Sequence, residues 1–130
     1  MRVLLDADVL IGALDRSDAH HDRARELFVR AREHQDSLSI SVVNLTEVLI
    51  APAADSAKLA AAREAITALG LAIHQPSEAI ALDAAKLRAR HPISLPDAYL
   101  LASAKHLGAA TASFDHKVQH AAQHEGLTTA

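Results

Sequence analysis

Short apolar runs alternate with helix-period segments along this whole 130-residue chain, and no feature restricts its fold more. Residues 2–6 hold a continuous apolar run too short for a helix, which reads as a buried strand ended by Asp6. Residues 8–15 form a short helix. Past Asp18 and Asp22, Ala24, Leu27, Phe28 and Ala31 recur at helical spacing, and Arg23, Arg25, Arg30 and Arg32 decorate the remaining surface. Residues 37–43 hold a second strand that runs into a helix of about ten residues, with Ser41 as N-cap and Pro52 at its end. A helix over 56–69 puts Leu59, Ala62, Ile66 and Leu69 on one face and stops at Gly70. Residues 71–74 are a third strand. Ser77 caps a helix to about Arg90 with Ile80, Ala84 and Leu87 inward, and another runs from Pro96 to Gly108. Residues 109–112 are a weak fourth strand, Asp115 opens a last helix, and 127–129 supply a fifth, edge strand. Such alternation implies right-handed crossovers, hence an α/β fold: a three-layer α/β/α arrangement around a central, mostly parallel sheet of four to five strands. No repeat or linker divides the chain, so residues 1–130 read as a single domain.

Composition removes several function classes. There is no Cys, which excludes a disulfide scaffold, a thiolate metal site and a thiol nucleophile. The net charge is −3, whereas a nucleic-acid binder relying on bulk charge is basic. Any nucleic-acid role must rest on a local patch or on bound cations. Asp6 and Asp8 interrupt the first apolar run, and no signal peptide or membrane span is read, so a cytoplasmic location with no membrane partner is expected.

Those two acids sit in the stretch VLLDADVLIGAL (residues 3–14), where an ionised carboxylate is costly unless something offsets it. In parallel sheets, ligands bind beyond the carboxyl ends of the strands, which is where strand 1 delivers Asp6 and Asp8. Asp115 follows strand 4 at the same edge, and the helix containing Asp97 begins there. Glu47 is flanked at i−4 and i+3 by Val43 and Ile50, which places it on or near a buried face, and two helical turns return it over the crevice. Each acid also has a simpler reading: Asp97 as a helix-start residue, Asp115 as an N-cap, Glu47 as exposed or paired with an arginine. Together, four acids in one crevice repel unless a cation is present. With oxygen donors alone, the cation is Mg²⁺ or Mn²⁺ rather than zinc.

The segments LLDADVLIGAL, SVVNLTEVL, AAKLRARHPISLPDAYLLASA and TASFDHKV occur in that order. In order and spacing the chain resembles the PIN-domain ribonucleases, most closely the toxin (VapC-like) component of VapBC-type toxin–antitoxin pairs. The resemblance implies metal-binding, catalytic acids at Asp6, Glu47, Asp97 and Asp115, with Ser113 ordering the site. Asp8 stands where the family usually has a small polar residue, and either touches the metal through water or only hydrogen-bonds to the site. Pro92 departs from the more usual Gly. The implied activity is Mg²⁺- or Mn²⁺-dependent endoribonuclease hydrolysis of RNA, with tRNA and other structured RNAs as candidate substrates. The implied partners are a VapB-like antitoxin and a second copy in a homodimer. Arg23, Arg30, Arg88, Arg90, Lys105 and Lys117 are the candidate RNA contacts, each otherwise a solvated surface residue.

Rivals are weaker. Asp6 and Asp8 also resemble the opening of haloacid-dehalogenase-type phosphatases, with Lys105 available but no late acidic pair. A receiver domain would need an Asp after the third strand, and a catalytically inert PIN-like binding module would not need all four acids. His116, His120 and His124 share a stripe on the last helix, without an acid to complete a zinc set, and His20 and His21 read as polar loop residues. Neither a nucleophile-elbow serine nor a glycine-rich phosphate loop occurs.

Overall fold

The computed structural model describes residues 1–130. Its elements are β1 (Arg2–Leu5), α1 (Ala7–Leu14), α2 (His21–Glu33), β2 (Ser37–Ser41), α3 (Val42–Ile50), a 3₁₀ turn (Pro52–Ala54), α4 (Ser56–Ala68), β3 (Ala72–His74), α5 (Glu78–Arg90), α6 (Leu95–Leu107), β4 (Ala110–Ala112) and α7 (His116–His124). All strand pairs are parallel, in the order β3-β2-β1-β4. Chain progression steps one way from β1 to β3, then returns to place β4 on the other side of β1. The carboxyl ends of β1 and β4 therefore flank the switch point, where such sheets open a crevice.

Both faces of the sheet are covered, giving the expected α/β/α layers. Alternation along β1 makes this visible: Leu4 packs among Ile80, Leu87, Leu100, Leu101 and Val118 from α5, α6 and α7. Val3 and Leu5 face the opposite way, onto Val9, Leu27 and Phe28 of α1 and α2. Ile40 of β2 joins Leu10, Val48 and Ile66 of α1, α3 and α4. Of the α4 face, only Ile66 is fully buried; Leu59 and Leu69 are half-buried. No helix is long and apolar enough to cross a membrane.

The expected fifth strand shrinks to a single parallel bridge between Thr111 and Thr129. The N–H of Thr111 donates to Thr128 O and that of Ala130 to Thr111 O, so the tail covers the outer edge of β4 without extending along it. Helix starts also shift. Pro96 is the second helical residue of α6, because Ser94 Oγ accepts from the Asp97 N–H at 3.3 Å and caps the helix one step earlier. Gly108 ends α6 at φ 61, a left-handed turn that glycine adopts without strain.

Glu125, just past α7, ties three helices together. It accepts from Arg90 Nη2 at 2.9 Å and Lys105 Nζ at 3.0 Å, and lies 2.7 Å from His91 Nε2, with only 10% of its side chain exposed. The bonds from Arg90 and His91 hold its carboxyl down to about 2, below the usual 4.5. A depressed carboxyl stabilises the fold above its unfolded value and loses that contribution as pH falls. Glu125→Gln is expected to cost about 1–2 kcal/mol at pH 7. In urea denaturation, the gap from wild type should close as pH drops from about 4.5 towards about 2.

Candidate active site

The crevice at the carboxyl edge of the sheet is lined by Asp6, Asp8, Glu47, Asp97 and Asp115, together with Ala7, Ile11, Ile50, Ala51 and Ser94. It encloses about 540 Å³. Every acid singled out in the sequence thus meets in one place, and none of the five takes part in an ion pair. The only arginine near Asp6 in sequence, Arg2, turns away and reaches Leu107 O at 3.4 Å.

Asp6 is 5% exposed. It is both the last residue delivered by β1 and the N-cap of α1: Oδ1 accepts from the Ala7 N–H at 2.7 Å and Oδ2 from Ser113 Oγ at 2.7 Å. Burial first, and the Asp8 charge second, push its carboxyl up to about 7, against the pull of the Ser113 bond. Asp8, in the first turn of α1, accepts the Phe114 N–H on Oδ2 at 3.0 Å, while its Oδ1 is buried with no partner. Burial raises its carboxyl too, opposed by the Phe114 bond. Ser113 is bonded on both sides, since its Oγ also accepts the Asp115 N–H at 3.1 Å. Asp115 caps α7 by accepting the Lys117 N–H at 2.8 Å, as its N-cap reading expects, and it lines the crevice as well.

Asp97 enters from the first turn of α6, half-buried, with its carboxyl raised by burial and by the charge of Asp115. Glu47 enters from α3. Its neighbours correct the sequence reasoning: Ile50 is 67% exposed and Val43 half-buried, so these do not form the buried face. That face is carried by Asn44 and Val48, and Glu47 stands half-buried at the rim. Burial, then the charge of Asp97, raises its carboxyl.

Asn44 was not legible as a site residue. It is fully buried, and its Nδ2 donates to Pro96 O at 3.2 Å, joining α3 to the first turn of α6 and so Glu47 to Asp97. The signal was a polar residue on the apolar side of α3, one turn before Glu47. His20 and His21 are likewise more than loop polarity: the His21 ring bonds Gly12 O at 2.8 Å, and the His20 ring stacks on Phe114 at 4.8 Å. Among the basic candidates, Arg90 and Lys105 are held by Glu125, and Arg88 Nε donates to Ile93 O. Arg23 lies 4.6 Å over the Phe114 ring, and the two line a groove of their own with Met1, Val3 and Ala130, joined to the crevice through the turn at Ser113 and Asp115. The His116, His120 and His124 stripe closes no metal set.

Nor do three of the crevice acids converge tightly enough, as their side chains stand, to hold an ion unaided. The donor set nevertheless fits a hard divalent cation. It is all oxygen, it contains a buried unpartnered carboxylate oxygen in Asp8, and burial first, then neighbouring acids, raise four of its carboxyls with no ion pair to offset them.

The chain belongs to the PIN-domain family, whose model matches residues 3–123. Among solved structures, it is similar to Mycobacterium tuberculosis VapC20, a Sarcin-Ricin loop cleaving toxin: 17% identity, TM-score 0.76, covering 92% of this chain and 94% of that one. It is also similar to a toxin–antitoxin complex from Klebsiella pneumoniae, at 25% identity and TM-score 0.66, with 88% of each chain covered. VapBC-1 from nontypeable Haemophilus influenzae aligns over 100% of this chain and 97% of that one, at 19% identity and TM-score 0.72. No curated protein sequence matches the chain.

A carboxyl raised in the folded state binds its proton more tightly there than in the unfolded chain. In chelator, the protein should therefore lose stability as pH rises from about 4 to about 7, the window set by Asp6. Asp6→Asn, which keeps the shape and removes the charge, should flatten that part of the profile in thermal melts.

Proposed function

We propose that this protein is a metal-dependent endoribonuclease whose residues 1–130 form a single PIN domain, the toxin of a VapBC-type toxin–antitoxin pair acting in the cytoplasm. The observation that carries this reading is the meeting of five acids at the switch point without one basic partner. PIN-family membership supports it and argues against the phosphatase alternative, which would put a nucleophile at Asp6. Asp6, Glu47, Asp97 and Asp115 would hold Mg²⁺ or Mn²⁺, and a bound ion supplies a Lewis acid and a water of lowered pKa. The protein's own contribution is placement. Ser113 fixes the Asp6 carboxylate, Asp8 fixes the turn that presents Asp115, and Asn44 keeps Glu47 level with Asp97. Phosphodiester hydrolysis then needs no protein nucleophile, in keeping with a crevice that contains no Cys, Lys or His.

The VapBC complexes among the structural neighbours support a VapB-like antitoxin as partner. The exposed apolar residues beside the crevice, Ile50 and Leu95, suit contact with such a protein, and a homodimer is part of the same reading. VapC20, which cleaves the Sarcin-Ricin loop, supports a structured RNA as substrate class.

Asp97→Asn should leave the melting temperature in chelator unchanged or higher and reduce RNA cleavage by at least about a hundredfold. Full cleavage by the folded variant would refute the site. Mn²⁺ at about 100 times its dissociation constant should stabilise wild type by about 2.7 kcal/mol. The Asp6→Asn, Asp115→Asn double variant should show almost none of that shift. Equal responses would point instead to an inert binding module.

A further inference from the structure

The carboxylate crevice creates a difficulty for its own substrate. Until a metal ion is bound, five acids and a net charge of −3 repel RNA phosphates, and a cation fixed near the turn that builds the crevice offsets that repulsion. Several cations are already engaged: Arg90 and Lys105 share the single carboxylate of Glu125, and the amino terminus is paired with Asp36 at 3.1 Å. Arg23 differs. It is exposed, it has no carboxylate partner, and its guanidinium lies 4.6 Å over the ring of Phe114.

That ring belongs to the turn that builds the site. Within residues 113–115, Ser113 bonds Asp6, the Phe114 N–H bonds Asp8, and Asp115 lines the crevice. The His20 ring packs on Phe114 at 4.8 Å and an interplanar angle of 30°. The backbone that carries Arg23 is closely packed too. A Cβ on Gly12 would stand 3.3 Å from Ala24 Cβ, so α2 rests directly on α1 at the residue next to Arg23. A guanidinium stacked on a ring keeps its N–H groups in plane and free to bond a phosphate in fork geometry, and its position is fixed before substrate arrives.

We propose that Arg23, stacked on Phe114 with His20 beside it, is a phosphate anchor for the RNA strand that enters the crevice, an inference that rests on the ribonuclease reading. Arg23 is then a binding residue that offsets the repulsion of the acids and takes no part in bond cleavage.

The test measures binding of a fluorescein-labelled stem–loop RNA by anisotropy, with Asp97→Asn as the parent so that the RNA stays intact. Adding Arg23→Gln should weaken binding about tenfold. It should also make the slope of log affinity against log salt shallower by about one, the loss of a single phosphate contact. Arg23→Lys, which keeps the charge without the planar fork, should fall between, and it serves as the readout should the glutamine variant melt early. Arg25→Gln, the same charge change on the solvent side of α2, should have little effect. With Asp97 intact, Arg23→Gln should raise KM and leave kcat nearly unchanged. Equal RNA affinity and salt slope for parent and Arg23→Gln overturns the anchor and leaves the ribonuclease reading standing. Unchanged RNA affinity with weakened antitoxin binding also overturns it, and assigns Arg23 to the protein partner. A parent and a wild type that both fail to bind RNA would remove the ribonuclease reading and the anchor with it.

Discussion

Like charges crowded at the carboxyl edge of the sheet govern the rest of this molecule. β1 is buried on both faces, so it can end in a carboxylate only at a cost, and Asp6 at 5% exposure bears it most directly. No basic residue relieves that cost. Its carboxyl drifts up to about 7, and those of Asp8, Glu47 and Asp97 rise with it. A fold can tolerate such a cluster only if its layers are firmly packed elsewhere. Here Leu4, Leu87, Leu100 and Leu101 on one face, and Val3, Leu5 and Val9 on the other, are at most 2% exposed. A burial of that kind is worth about 1.5–3 kcal/mol for each large side chain.

The turn at 113–115 converts that packing into geometry. β4 is short and made of small residues, and its pairing with β1 brings Ala112 level with Leu5. The next three residues then fall beside Asp6 and Asp8. Ser113 couples Asp6 to the backbone of Asp115, and Phe114 couples Asp8 to α2 through its ring. Asp8 is thus a bracket for the turn, whose second oxygen remains buried and unpartnered. An aromatic residue in a chain with few of them lies where the acids, the turn and the one stacked arginine meet.

Much of this was legible in the sequence. The strand–helix alternation, the capping residues Ser41, Ser77 and Asp115, and the stop at Gly108 all reflect short-range chemistry, and each appears where its spacing predicts. The four acids could be found because charge inside apolar runs is rare and the switch-point rule assigns an address to each. Glu47 was found for a partly wrong reason. Its apolar neighbours imply a buried face, whereas Ile50 projects into solvent at 67% exposure. The fifth strand also failed as an expectation, since β propensity in residues 127–129 says nothing of how far a tail can run beside a three-residue partner.

Local pattern therefore determined the elements, the layer order and the identity of the acids, because caps, periodicity and buried charge act within a few residues of chain. Only the tertiary structure decided the contacts made across long separations. Asn44 reaches Pro96, Ser113 reaches Asp6, Glu125 gathers Arg90, His91 and Lys105, and Arg23 settles on Phe114. Polar side chains carry no mark of their distant partners. Which cations are spent on carboxylates and which stay free is fixed by how the helices pack, and here that packing leaves Arg23 unpaired on the ring of Phe114.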